Sequence, residues 1–415
     1  MHYYGNIGDQ TTDTERDTIY KRLTSQQIDP DQLIEELRER RNRQLDFTAP
    51  TSGLDFVPTP KKGELPDAME SALEPINELD RTKANRPVAL LLPRDREEEW
   101  FHATNEQPLT INAHAHGQIA GGTPIGTRYY RAMLEQDPEL LAVNVNRWWS
   151  RNCDRNRLIR VEDNHVRAWL SDRYLRVSNV DLAETVIPAL REGNGNAWTL
   201  QQAAITDKQM HIRAILPSFE ADVNPRVGDV VNLGITIRNS EVGAGAFTVE
   251  AALYRLVCTN TMVSGGGMRR VHLGSKISTD FVAHLADETM RAQDRALMLE
   301  ARDVVKALAD RSHFEKLVET ATGAVETEIP EPIAAARVLA KGAGLTESET
   351  ASVEEELVKG NDPSVWGLMN ALTATARELP DFERKHELEA KAGAMMNDRS
   401  GWSKFVNATR KDTTN

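Results

Sequence analysis

GITIRNSEVGAGAFTVEAALYRLVCTN, residues 234–260, sets two runs of β-branched and aliphatic residues on either side of a polar knot, Arg238-Asn239-Ser240-Glu241. Gly243 and Gly245 follow the knot. Strand-forming residues that stop at a polar, glycine-bearing stretch and then resume describe a β-hairpin. Residues 230–238 and 246–257 are therefore expected to pair antiparallel, with the two glycines supplying positive φ. Asn239 and Ser240 can hydrogen-bond within such a turn, which makes the knot structural. The alternative is that it forms a site beside a basic surface.

The same pattern recurs upstream. Residues 158–161 and 165–170 flank Glu162, Asp163 and Asn164, and residues 203–206 and 210–216 flank Asp207, Lys208 and Gln209. Strands joined by short turns predict an antiparallel sheet. Residues 88–92 (VALLL) read as a buried strand, and residues 127–146 as one helix. From about residue 279 the apolar period becomes helical, with Leu297, Ala301, Val304 and Leu308 on one face. Asp362 and Pro363 open a helix carrying Trp366, Met369, Leu372 and Ala376, and a last helix over 382–396 carries Leu388, Ala392 and Met395.

At the other end, Asp29-Pro30 caps a short helix with Leu33, Ile34 and Leu37 that should stop near Arg43. Prolines at 50, 58, 60 and 66 mark the segment after this helix as a linker. The expected class is α+β: a central antiparallel sheet built of hairpins, an N-terminal helical arm and a C-terminal helical bundle. Three parts are expected: residues 1–85, arm and linker; 86–276, α+β core; and 277–415, helical region.

At 415 residues the chain exceeds the size at which a single core stops growing. It contains no apolar run of transmembrane length and starts without a leader-like segment, so a cytoplasmic protein with no membrane partner is expected. Cys153 and Cys258 are too few for a disulfide framework or a four-thiolate zinc site. His114 and His116 in INAHAHGQ lack a carboxylate cluster, and the nearby glycines lack phosphate-loop spacing. No metal and no cofactor are expected.

Charge is unevenly spread. The formal total is −13, yet residues 109–276 carry a net +3 between flanks of −8 each. Within that middle part, Arg147, Arg151, Arg155, Arg157, Arg160, Arg167, Arg173 and Arg176 form a lysine-free series interleaved with Trp148, Trp149, Trp169 and Tyr174. Arginine forks grip phosphates, and aromatic faces stack unpaired bases. The candidate nucleic-acid-binding residues are Arg128, Arg147, Trp148, Arg151, Arg155, Arg157, Arg160, Arg167, Arg173, Tyr174, Arg269 and Arg270, with Arg131 a further extension. The structural alternative pairs these arginines with carboxylates and buries the tryptophans. No serine-nucleophile motif is present. A rival enzymatic reading places Asn239, Glu241 and His272 around a divalent ion, and a third reading is an assembly or host-interaction protein.

Four pieces share a further likeness: GQIAGGTPIGTRYYRAML, VRAWLSDRYLRVSN at 166–179, the 234–260 hairpin, and SVWGLMNALTATA at 364–376. In this order they resemble the phage/plasmid-like family known as domain of unknown function 932 (DUF932), over roughly residues 109–396. The resemblance implies a protein of phages, plasmids or integrative elements, encoded among replication or recombination genes, with no settled activity. Two places depart from the family pattern: Cys258-Thr259-Asn260-Thr261, where relatives carry glycine, and Arg270-Val271-His272-Leu273-Gly274. The resulting expectation is a non-enzymatic protein that binds single-stranded DNA or RNA and forms homo-oligomers.

Overall fold

The computed structural model describes residues 29–58, 89–151, 155–192, 198–224, 229–255, 260–264, 267–270 and 287–409. Sheet 1 contains β1 (Gln44–Pro50), β2 (Leu54–Pro58), β3 (Ala89–Pro93), β4 (Leu109–Ile111), β5 (Asn156–Glu162) and β6 (His165–Ser171), ordered β1-β5-β6-β4-β3-β2. Neighbours run antiparallel except β4 beside β6. Asp163 and Asn164, at φ 49° and 61°, make the left-handed turn between β5 and β6 that short Asx side chains tolerate.

β1 and β2 correct the linker reading of residues 44–58. Both are edge strands, and Pro50 and Pro58 are their last residues, where a missing N–H removes no ladder hydrogen bond. Helix α1 (Pro30–Asn42) is capped by Asp29, which accepts from Asp31 N at 2.9 Å, and it ends where the sequence predicts. It is not a loose arm, because Leu33 and Leu37 are buried in the main core.

Helices α2 (Glu99–Ala103), α3 (Ala113–Gly122), α4 (Thr127–Gln136) and α5 (Pro138–Arg151) pack on one face of sheet 1. Phe56, Tyr130, Trp149, Ile159 and Trp169 lie in that core, and Trp149 and Trp169 stack with ring centroids 4.7 Å apart. The single helix expected over 127–146 is two. The residue before a proline is driven out of helical geometry, and Asp137 sits at φ −149°, ψ 74°.

Helix α6 (Asn179–Glu192) leads into sheet 2, which contains β7 (Thr199–Ile205), β8 (Met210–Asn224), β9 (Asp229–Asn239), β10 (Phe247–Arg255), β11 (Asn260–Val263) and β12 (Met268–Arg270). The order is β11-β10-β9-β8-β7, with β12 beside the first residues of β10. The architecture is α+β as expected, but with two sheets in place of one. The C-terminal helices are α7 (Asp287–Leu308), α8 (Arg311–Glu326), α9 (Pro332–Ala343), α10 (Glu347–Gly360), α11 (Val365–Arg377), α12 (Phe382–Asn397) and α13 (Ser403–Val406).

Strand alternation gives sheet 2 two unlike faces. Ile212, Ala214, Leu233, Ile235, Ile237, Val249, Ala251 and Leu253 join the core that holds Val186 of α6 and Ala301 and Val305 of α7. On the other face, register places His211, Arg238 and Thr248 in one row and Arg213, Thr236 and Glu250 in the next. Helix α12 lies over these rows: Glu389 pairs with Arg213, and the His386 ring sits 6.3 Å from that of His211.

The approach of α12 to β11 is close. A Cβ on Gly393 would stand 1.6 Å from the Val263 carbonyl oxygen, so only glycine fits without a shift of the helix. Gly393→Ala is expected to destabilise the fold by at least about 1–3 kcal/mol, the cost of overpacking, read from the urea midpoint.

Candidate nucleic-acid interface

The polar knot is a latch between the sheets. Arg160, fully buried on β5, donates from Nε and Nη2 to Asp46 at 3.0 and 2.7 Å, and from Nη1 to the Glu241 carbonyl at 2.8 Å. The β5–β6 register passes from Arg160 opposite Ala168 to Val161 opposite Val166, leaving Arg167 as the extra residue of a bulge. A bulge re-aims its side chain, and Arg167 Nη1 reaches Glu241 Oε2 at 2.8 Å. Glu241 Oε1 accepts from Asn179 N at 2.8 Å. Asn239 Nδ2 donates to the Val177 carbonyl and to Asn179 Oδ1, both at 2.9 Å. Ser240 Oγ donates to the Lys208 carbonyl and accepts from Ala244 N, both at 2.8 Å. Tyr174 OH donates to the Ser240 carbonyl at 2.7 Å.

These bonds fix the electrostatics. Burial alone would push the Glu241 carboxyl up, but Arg160 and Arg167 outweigh it and hold it below the usual carboxylate range. Asp46 behaves the same way, with Arg160 as the main opposing cation. Gly243 takes the expected positive φ, 75°, whereas Gly245 does not. A Cβ on Gly245 would stand 2.8 Å from Gln209 Nε2, so the amide end of Gln209 would have to shift.

Three of the candidate nucleic-acid-binding residues are therefore corrected. Arg160, Arg167 and Tyr174 are buried and bonded within the protein, and a residue consumed in this way cannot meet a polynucleotide. The enzymatic trio fares no better. Asn239 and Glu241 are buried in the latch, with both Glu241 oxygens engaged, and His272 lies outside the described residues.

The remaining arginines do not share one face. Arg147 and Arg151 lie one turn apart on α5 and are exposed, Arg155 is exposed just before β5, and Arg157 is half-buried on it. Trp148, Arg155, Arg157, Gly122 and Thr123 line a notch floored by the stacked Trp149 and Trp169. The Arg151 guanidinium lies 5.5 Å from the Trp148 ring centroid, a cation–π distance. Among the described residues no carboxylate forms an ion pair with Arg147, Arg151, Arg155 or Arg157. Burial is the main cause that lowers the Arg157 pKa, and neighbouring Arg155 adds to it. Arg128 and Arg131 are exposed on α4, Arg173 is exposed after β6, and Arg269 and Arg270 are exposed on β12 of the other sheet, where Arg270 pairs with Glu300 at 3.1 Å.

The histidine pair is structural. His114 Nε2 lies 2.9 Å from the Val242 carbonyl. His116 is buried against Tyr130 OH at 2.9 Å, and burial pushes its pKa down to about 4. Among the described residues no group of three or more His, Cys, Asp or Glu could hold a metal, and Cys153 and Cys258 lie outside those residues. No described helix is long and apolar enough to cross a membrane.

A second polar cluster, on sheet 2 under α12, escaped sequence reasoning. Among the described residues, His211 Nε2, both ring nitrogens of His386 and Glu250 Oε2 are buried without a hydrogen-bond partner, although His386 Nε2 approaches Glu250 Oε2 to 3.7 Å. The only signal was the polar alternation His211-Ile212-Arg213, a pattern shared with solvent-facing strands.

Residues 168–377 match the family described as Domain of unknown function (DUF932). No curated protein and no solved structure matches the chain. The matched segment holds Tyr174, α6, sheet 2 and the helices through α11, whereas the arginine–tryptophan notch lies mostly before it.

Proposed function

We propose, for a chain that belongs to the DUF932 family, that it is a non-enzymatic protein that binds single-stranded DNA or RNA through the face formed by α5 and the start of β5. Supporting this reading is one observation above others: in a molecule of net charge −13, Arg151, Arg155 and Arg157 gather around Trp148, with Arg147 exposed one turn before Arg151 on α5, and none of the four has an ion-paired carboxylate among the described residues. Guanidinium groups without an ion-paired carboxylate among the described residues can supply phosphate contacts, and the adjoining indole offers a stacking surface. A role in replication or recombination of a phage- or plasmid-type element rests on the motif resemblance alone. The acidic flanks would limit non-specific binding.

Fluorescence anisotropy with a labelled 20-nucleotide strand over a salt series tests the proposal. Four phosphate contacts on a single strand give log K against log salt a slope of about −3. Binding that ignores salt, or no binding at 50 mM salt, overturns it.

A second reading, self-association, is favoured by Tyr129, Leu140 and Val143, large apolar side chains 54%, 41% and 63% exposed on α4 and α5. Val143→Asp is expected to shift the light-scattering mass downwards if that surface joins copies of the chain.

A further inference from the structure

We infer that the notch between Gly122 and Arg157 is a seat for one phosphate group, with the adjoining base placed against Trp148; this rests on the single-strand reading and specifies its anchor. Among the described residues the notch is lined by Thr51, Gly122, Thr123, Trp148, Trp149, Arg155, Arg157 and Trp169, with donors and aromatic rings but no acid. Its cavity volume is about 10 Å³, the room of about one water or one phosphate oxygen, so the phosphate enters by one oxygen. A base does not fit inside and must lie outside, where Trp148 is half-exposed.

Three features identify the occupant as an anion. Arg157 Nε is buried with no hydrogen-bond partner among the described residues, a state that leaves a charged donor unsatisfied there. Arg155 stands close enough to Arg157 to oppose its charge, and Asp172 offsets this only by proximity. Two like charges held together are relieved by a shared phosphate, whose oxygens accept from both forks. Gly122 keeps the approach open: a Cβ there would stand 3.7 Å from Arg157 Nη2, on the guanidinium that the phosphate must reach. Trp149 and Trp169, stacked and buried, hold the floor rigid, so Arg157 is pre-placed.

An internal phosphodiester and a terminal phosphomonoester share this chemistry. The test uses the full chain with three probes: a 12-nucleotide thymidine strand, the same strand bearing a 5′-phosphate, and inorganic phosphate. Arg157→Gln is expected to weaken the unmodified strand about tenfold and to reduce the salt slope by about one contact. A further gain from the 5′-phosphate in the parent chain, lost in Arg157→Gln, assigns the seat to chain ends; equal affinity for both strands assigns it to internal phosphates. Inorganic phosphate is expected to raise the melting temperature of the parent chain above that in chloride of equal ionic strength, and to do so less for Arg157→Gln.

Salt-dependent strand binding that Arg157→Gln and Arg155→Gln leave unchanged overturns the seat while the single-strand reading stands. Phosphate stabilisation that needs Arg157, with no strand binding, overturns the reading while the seat stands. Neither effect overturns both. Circular dichroism of Arg157→Gln checks the fold, and Arg157→Lys, which keeps the charge but not the fork, is expected to recover only part of the affinity.

Discussion

Glu241→Gln is expected to remove about 3–5 kcal/mol of unfolding free energy, the loss seen when one partner of a buried ion pair is deleted. Domains of ordinary stability have about 5–15 kcal/mol in total, so the variant should sit near the edge of folding. The reason is local. Arg167 and Arg160 stay buried when the carboxylate becomes an amide, and Arg167 Nε and Nη2 already have no partner among the described residues. Asp46 still serves Arg160, which confines the damage to the Arg167 side of the latch. The exposed pair Arg43–Asp163 is the control: both side chains are more than half exposed, and Asp163→Asn should change stability by less than about 0.5 kcal/mol. Urea denaturation of the two variants against the parent measures both. Equal, small effects would mean that the latch contributes nothing beyond a surface contact.

The second large effect is acid lability of the α12 roof. Burial, followed by the Arg238 and Arg213 charges, pushes the His211 pKa down to about 4, while Asp381 opposes this weakly. His386 is depressed further by burial, by the same two arginines and by His211 itself. Glu250, Glu389, Lys385, Glu383 and Arg269 are the further charged groups that face this cluster, with Arg377 and Glu378 beside Lys385. A histidine whose folded pKa is depressed leaves the fold at full stability above the unfolded value near 6.5. Below that value the unfolded chain takes up protons that the fold refuses, so stability falls with pH down to the folded pKa. From His211 alone the loss between pH 6.5 and pH 4 is about 3 kcal/mol, at about 1.4 kcal/mol per pKa unit. His386 adds to it, and His116, depressed by burial in the helix layer of sheet 1, contributes separately. Melting temperature across pH 7 to 4.5 should therefore fall steeply, and His211→Asn should flatten the curve. A profile flat to pH 5 would show that the two rings are hydrated and titrate normally.

Legibility of the fold in the sequence followed the range of the interactions. The hairpins at 156–171, 199–224 and 229–255 are local, built from strand propensity and turn residues, and the sequence shows them directly. The Asp29 cap is equally direct, whereas the helix expected to open at Asp362 and Pro363 starts at Val365, with Ser364 as its cap accepting from Gly367 N. The edge strands β1 and β2 were hidden because proline reads as a breaker without regard to position, and only the sheet reveals that Pro50 and Pro58 close edge strands. The division into two sheets could not be read, since strand period says nothing about which hairpins pair with which.

For the candidate site, residue type was informative and destination was not. Arg157 and Arg160 lie three positions apart on one strand, and strand alternation sends them to opposite faces. One lines the notch under Trp148, and the other is sealed against Asp46 and the Glu241 carbonyl. Arg167 would have been misplaced by any strict alternation, because the bulge that carries it is a property of the β5–β6 pairing. The group of buried His211, Arg213, His386 and Glu389 with half-buried Glu250 spans residues far apart in the chain, and no local pattern marks polar residues that a helix later covers.

Whether single strands lie across α5 and the start of β5 is decided by photo-crosslinking. A 20-nucleotide strand carrying 5-bromouracil is irradiated with the full chain at low salt, and the adduct is located by peptide mass spectrometry. Adducts within residues 146–158, at Trp148 above all, are the expected result. Adducts confined to the β12 arginines Arg269 and Arg270 or to the C-terminal helices, with residues 146–158 unmodified, would contradict it.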